Sequence, residues 1–474
     1  MRHIKSRLEV LDEREIELIH QAGLEILLDV GIEVLNPELR RRLKEVGCKA
    51  TGERVFVPEK AIARMLEDVA STPSSSEWTM SSRPIRANNM CQTSVVEYPG
   101  YTRRAGTLED VLKGIALTNV LPSVNTALPI AVPRDVPNGM AEIEAARLGF
   151  LYSKKPFRVF FGLQSCHYLI EMAELIADAK GTGRRSLGFG YSFGVVSPLR
   201  FSKDELECAV LMAESGWPAS CYSFVLMGAS SPLSLAGALA QSNAERLACL
   251  LLMWLWGEIG GYQKEHVDDP SIIDPSSMAT SFAHPNLTAF AIANNQMCEY
   301  YGISPGGGLA LSDAKEVDYQ SGFERAFGIA TVAFSGGRIG PSGIAGTDEG
   351  ASLEKLVIED AAISYVNWVR SGIEVNEESL AVDLIKQVGI GGSFLAEEHT
   401  VRYIHKEYWQ SPLFLRKSWT DWEAGGKESI MDRAHEEVET LLSEHYPPQP
   451  VVSDEVAAAL DKIVAKARRA IAGE

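Results

Sequence analysis

Gly306-Gly-Gly-Leu-Ala-Leu-Ser-Asp-Ala-Lys-Glu-Val-Asp-Tyr-Gln-Ser-Gly322 is the stretch on which the fold is read. Its glycine run closes a short apolar strand. Ser312-Asp313 stands where a helix would begin, with Gln320 one or two turns further on. A strand end, a glycine loop and a polar helix start make one active-site corner of a (β/α) barrel. The same alternation extends outward. Helical spacing runs through 107–118, 138–153, 165–180, 202–215, 232–256, 285–302, 316–333 and 351–371. Strand-like pieces lie between them at 124–132, 157–161, 187–195, 219–226, 258–263, 303–311 and 338–344. Such alternation implies a parallel sheet with helical crossovers. Seven or eight repeats favour a closed barrel, and no G-x-G-x-x-G follows the first strand, which weakens the dinucleotide-binding alternative. The expected fold is α/β: a TIM (β/α)8 barrel with an N-terminal α+β cap and a C-terminal helical extension.

Three regions follow from this pattern. Residues 1–106 read as the cap and a hairpin region, 107–392 as the barrel and 393–474 as the extension. In the cap, Asp12 and Glu15 make a capping-box pattern ahead of a helix that Gly31 ends. Glu53-Arg-Val-Phe-Val57 is a short strand, and Pro58 opens another helix. Residues 77–106 carry the Gly, Pro and Asn punctuation of a hairpin. Residues 393–426 are aromatic and charged without clear periodicity. They precede an amphipathic helix at 427–445, the stiff linker Pro447-Pro-Gln-Pro450 and a capped helix at 453–471.

Composition narrows the function. With 63 acidic against 45 basic residues, the net charge of -18 disfavours nucleic acid or an anionic membrane as the main partner. The hydrophobic content of 46% and mean hydropathy of -0.03 suit a globular protein with a large core. The longest apolar run, Leu247-Ala-Cys-Leu-Leu-Leu-Met-Trp-Leu-Trp256, is about half a bilayer span and reads as a buried helix. No secretory signal opens the chain, and seven scattered cysteines suit reduced thiols, so the expected location is cytoplasmic.

No zinc-type spacing, P-loop or nucleophile elbow is present, so no bound metal and no catalytic nucleophile is expected. What the strand ends carry is aromatic: Phe160 beside Phe161, Tyr191 and Phe193 before Gly194, Tyr222 and Phe224 around Ser223, and Tyr262. Tyr98 and Tyr101 come from the hairpin. Each ring alone fits a core. Several converging at one rim would make a box for an organic cation, because ring faces attract a charge that cannot donate a hydrogen bond. His284 and Asp313 are the polar candidates, each readable as a substrate contact or as a helix cap. Gly337, Arg338 and Gly340, within Gly336-Gly-Arg-Ile-Gly-Pro-Ser-Gly343, read as an anion-binding loop for a cofactor tail or substrate carboxylate, or as a tight turn.

The run from Gly306 to Glu324 resembles the trimethylamine methyltransferase (MttB-type) family. So does Glu398-His-Thr-Val-Arg-Tyr-Ile-His405, continuing through Glu407-Tyr408 and Pro412-Leu to Arg416 and Trp422. The N-terminal pattern from Leu18-Ile-His-Gln-Ala-Gly-Leu-Glu-Ile-Leu to Gly31 is similar to family openings, and the likeness spans nearly the whole chain. It implies a barrel that moves a methyl group from an amine to the cobalt of a corrinoid (cobalamin) carried by a separate corrinoid-binding protein. The trimethylamine enzymes carry pyrrolysine, which this sequence lacks. The resemblance therefore points to the non-pyrrolysine branch, acting on quaternary amines, with glycine betaine as the leading expectation. A homo-oligomer is expected. The alternatives are a methyltransferase for another methylated amine and a quaternary-ammonium binding protein without turnover.

Overall fold

The computed structural model describes residues 7–71, 84–257, 265–268, 270–305, 308, 310–337 and 339–473. The fold is α/β, with parallel strands alternating with helices. Ala87–Asn88 lies parallel to Val124–Thr126, and Ala127 to Phe157. Tyr191–Val196, Ala219–Ser223, Glu265–Asp268 and Ser304–Pro305 form a continuous parallel run. Gly308 pairs with Ile339, and Ser342 with Asn89. The 157 and 191 segments meet through Arg158 Nε donating to the Gly188 carbonyl at 3.1 Å and through the Phe161 and Tyr191 rings, 5.0 Å apart.

Eight helices follow these segments near the expected positions: Leu108–Val120, Ala141–Tyr152, Leu163–Lys180, Lys203–Glu214, Leu235–Leu255, Pro285–Tyr300, Tyr319–Phe334 and Leu353–Arg370. The strands are shorter than their apolar runs. Val124–Thr126 stops well before residue 132 because Pro129 and Pro133 have no N–H for a ladder. The stretch 258–263, with Tyr262, lies outside the described residues, and the strand found there is Glu265–Asp268.

Alternation along the strands separates two faces. Tyr191, Phe193 and Val195 belong to the main core with Phe189, Trp217 and the helix Leu235–Leu255. Ser192 and Gly194 face the other way. The Ser192 and Ser220 hydroxyls are 2.6 Å apart, and the Tyr222 ring covers Gly194 so closely that a side chain there would collide with it.

The N-terminal helix Glu13–Glu25 has the expected capping box: Asp12 accepts from the Glu15 amide and Glu15 from the Asp12 amide. It widens into a looser turn, Ile26–Val30, before Gly31, where φ is 76° and a Cβ would lie 2.5 Å from the Val55 carbonyl oxygen. Only glycine fits that turn. Ile32–Val34 then extends the large sheet by pairing parallel to Arg200–Phe201. The apolar helix Leu235–Leu255 is buried beneath the N-terminal helices, and no helix among the described residues is long and apolar enough to cross a membrane.

At the far end, Ile430–His445 packs on Leu353–Arg370, and Asp454–Ile471 on Leu163–Lys180. The stretch from 393 to 426, aperiodic in sequence, contains two helices, Glu398–Glu407 and Trp419–Ala424, that bury no residue.

A buried ion pair ties the last two strand ends together. Arg325 donates to the Ala310 carbonyl at 2.5 Å and the Pro341 carbonyl at 2.8 Å. Its partner Glu359 stands 3.0 Å away and accepts the Gly343 amide at 2.9 Å. Burial depresses the pKa of the neighbouring Lys355, 4.0 Å from Glu359. Removing one member strands a desolvated charge. Glu359→Ala is expected to cost about 3–5 kcal/mol by equilibrium urea unfolding, and a loss under ~1 kcal/mol would contradict this role.

Candidate functional site

The loops after the strands converge at one end of the sheet. Met90, Phe282, Leu311 and Ile344 form a small apolar cluster there, from four different segments. Phe224 meets Phe282 edge-to-face with ring centres 5.8 Å apart. Tyr222, two residues earlier on an extended run, shares the face of Phe224, because Ser223 between them points back to Ser242 of the helix.

Carboxylates hold this apolar floor in place. Asp313 accepts the Phe282 amide at 2.9 Å, the Ala283 amide at 3.3 Å and the Ser281 hydroxyl. It is thus no helix cap. The helix starts at Tyr319 with Asp318 as its cap, and Asp313 instead clamps the loop that carries Phe282. Glu324 accepts from the Ser312 hydroxyl at 2.8 Å, the Asp313 amide at 3.0 Å and Gln320 at 2.9 Å. A cleft beside Phe282 is lined by Pro270, Ala283, Leu287, Leu311 and Glu324, an apolar wall with one carboxylate.

The fourth loop is backbone-strained. Gly346, Thr347 and Asp348 have φ of 62°, 55° and 62°, a left-handed run that non-glycine residues rarely adopt. It is pinned by Lys315 Nζ donating to Thr347 Oγ1 at 2.6 Å and by Gln92 Nε2 donating to Asp348 Oδ1 at 2.8 Å. Burial pushes the Asp348 carboxyl above its ordinary value, against the lowering effect of the Gln92 bond. Cys91 alongside is likewise raised by burial, to about 12.

Of the residues expected at the site, Phe224 and Asp313 meet here through Phe282, and Tyr222 shares the strand face of Phe224 with its ring over Gly194. Phe160 is half exposed, on the face opposite its buried neighbours Val159 and Phe161. Tyr191 and Phe193 do not join it. They point into the helix layer, Tyr191 toward Cys208 and Phe193 edge-on to Trp256 at 5.3 Å, because odd-numbered residues of that strand face outward. Tyr98 sits on the outer rim, donating to Asp432 at 2.5 Å and packed by Tyr101 and His435. His284 is exposed and caps the helix Pro285–Tyr300 by accepting the Asn286 amide at 3.2 Å.

In the glycine loop near 336–343, the Gly337 and Gly340 amides are taken up within the chain. The Gly337 amide donates to the Val332 carbonyl and the Gly340 amide to the Gly308 carbonyl. Gly337 is needed for close packing, since a Cβ there would lie 2.6 Å from Asn295 Nδ2. Arg338 lies outside the described residues. The sequence reading missed Phe282, Glu324, Gln92 and Asp348. The signal for Phe282 was its place in Ser281-Phe-Ala-His-Pro, an aromatic just ahead of a helix start.

The family model described as trimethylamine methyltransferase (MTTB) matches residues 1–472. The chain belongs to the trimethylamine methyltransferase family. It is 25% identical over 489 residues to a glycine betaine methyltransferase of Desulfitobacterium hafniense, covering 100% of both chains. It is 27% identical over 482 residues to a trimethylamine methyltransferase of Methanosarcina barkeri, covering 97% of this chain and 95% of that one. Its fold resembles the crystal structure of the Methanosarcina barkeri monomethylamine methyltransferase, with a TM-score of 0.51 at 12% identity over 92% of this chain and 89% of that one.

Asp348 gives a pH test. A carboxyl raised by burial contributes stability that is complete below its unfolded pKa, ~3.9, and is lost as pH rises through its folded value. Asp348→Asn keeps the Gln92 contact and removes the charge. Its stability relative to the parent chain is expected to rise as pH climbs from about 4 toward neutrality. A difference in denaturation midpoint that stays constant over that window would contradict the assignment.

Proposed function

We propose that this enzyme moves a methyl group from a quaternary amine of the betaine type to a corrinoid carried by a separate protein, at the mouth of a (β/α)8 barrel. The succession of parallel neighbours from Ala87 to Ser342, which returns to Asn89, supports the barrel reading. The observation that carries the substrate reading is the Phe224–Phe282 pair over an apolar floor, with carboxylates behind it.

A quaternary ammonium group has no N–H to donate, so ring faces and apolar walls suit it. Each well-placed ring contributes ~0.5–2 kcal/mol. Phe224, Phe282 and Tyr222 would hold the methyl groups, while Asp313 and Glu324 fix the loops and add negative field. A docked corrinoid would supply the electron pair for the new bond to carbon, and the C–N pair would return to nitrogen so that the amine leaves neutral. No proton is needed at nitrogen, and none of the chain's residues has to act as acid or base. Their work is to align one N–CH3 bond with the opening and keep the path dry. The apolar floor fits an acceptor that must approach without water. Glycine betaine is the leading substrate, and a cytoplasmic location suits such an acceptor.

An anaerobic assay with cob(I)alamin and a panel of betaines tests this reading. Conversion of one betaine to its dimethylamine product is expected. Phe282→Ala and Phe224→Ala should each lower kcat/KM by roughly 3–30-fold, the equivalent of one cation–ring contact. Tight binding with no demethylated product, with or without a corrinoid protein, would leave a binding protein instead.

A further inference from the structure

The outer face of the helix Tyr319–Phe334 is a stripe that carries no charge. Tyr319, Phe323 and Phe327, each about one turn from the next, are 86%, 58% and 54% exposed. Their rings are stacked, with centres 6.2 and 5.9 Å apart and planes 20° and 5° from parallel. Gly322 and Ala326, both exposed, and the half-buried Ala330 run beside them. Positions 319, 322, 323, 326, 327 and 330 repeat at the spacing one helix presents to another. The two charged residues of the helix turn away from this face. Glu324 accepts from Ser312 and Asp313, and Arg325 reaches into the wall.

A Cβ on Gly322 would meet open space, so no contact inside the chain requires glycine there. Glycine within a helix is less stable than alanine. With Ala326 and Ala330 it makes a shallow trough beside a wall of rings, where a second backbone can approach closely. The complement of that shape is an apolar helix laid along the stripe.

Size and place indicate which protein brings the helix. Three rings of 150–250 Å² each, exposed to these fractions, offer on the order of 400 Å². That is about half of the ~800 Å² per partner in a stable interface, and it suits a partner that arrives and leaves. Tyr319 directly follows the cap Asp318, and the segment before it carries Asp313, the clamp of the Phe282 loop. The stripe therefore starts at the rim of the mouth and runs down the flank for roughly 16 Å, at 1.5 Å per residue. Glu316 and Asp318, exposed at the rim end, favour a basic residue there on the partner. In the methyl-transfer reading, on which this inference rests, one protein must reach that rim and leave it in each turnover: the corrinoid carrier.

We infer that the stripe from Tyr319 to Ala330 is the docking face for the corrinoid protein, which lays an apolar helix in the trough between the rings and Gly322.

Two acceptors separate docking from chemistry, because free cob(I)alamin needs no docking and a corrinoid protein does. Gly322→Gln keeps a good helix former and blocks close approach. Phe323→Glu puts a charge into the stripe. Each variant is expected to demethylate the betaine at the parent's rate with free cob(I)alamin. Each should bind the hydroxocobalamin-loaded corrinoid protein that the parent chain uses about tenfold or more weakly by biolayer interferometry. Unchanged affinity in both variants would overturn the inference. So would an equal loss with free and protein-bound acceptor, which would make the stripe part of the fold. A sedimentation shift of the variants to a smaller species would assign the face to a second copy instead. Transfer by the parent to free cob(I)alamin but to no corrinoid protein would overturn the docking face and leave the chemistry intact. No transfer to either would remove the methyl-transfer reading, and the docking face with it.

Discussion

Arg325 is the tie on which the rest of the mouth depends. Its guanidinium reaches the carbonyls that end two different strand segments, and Glu359 neutralises it while taking the Gly343 amide. Both groups are almost wholly buried, so each is tolerable only because the other is there. The segments at 310–318 and 343–352 spring from the atoms this pair fixes. Their contents, Leu311, Asp313, Ile344 and Asp348, are most of the candidate site. A charged pair deep in the wall thus sets the position of an uncharged floor.

On the proposed reading, the division of labour in the site follows from what a quaternary cation can and cannot do. It cannot donate hydrogen bonds, so the carboxylates need not touch it directly. Asp313 spends its acceptor capacity on the Phe282 loop, and Glu324 on Ser312, Asp313 and Gln320. The left-handed turn at Gly346–Asp348 is held by Gln92 and Lys315. Strain of that kind persists only where surrounding contacts fix the backbone.

Helix positions were legible because their apolar spacing and caps are local. Asp12 with Glu15, and Ser453 ahead of the last helix, do what their sequence suggests. The direction of individual rings was not legible. Tyr191 and Phe193 look like Tyr222 and Phe224 on paper, and only the register of the strands sends one pair outward and the other inward. Asp313 and His284 were both visible as polar residues near helix starts, yet one clamps a distant loop and the other is a plain cap. The glycines at 337 and 340 answer to packing and strand pairing, which depend on Asn295 and Gly308 far away in sequence. The short helices Glu377–Leu380 and Val382–Val388 escaped notice because one or two turns leave little periodic signal.

The central claim is that the Phe224–Phe282 mouth recognises positive charge on a tetrahedral methylated centre. Glycine betaine and 3,3-dimethylbutanoate differ only in nitrogen against carbon at that centre, so shape and carboxylate are held constant. Calorimetric titration of both into the protein isolates the charge. The account predicts that the betaine binds about tenfold or more tightly, as one or two cation–ring contacts would give, and that Phe282→Ala narrows the gap. Equal affinity for the two, or a preference that survives loss of both rings, would contradict it.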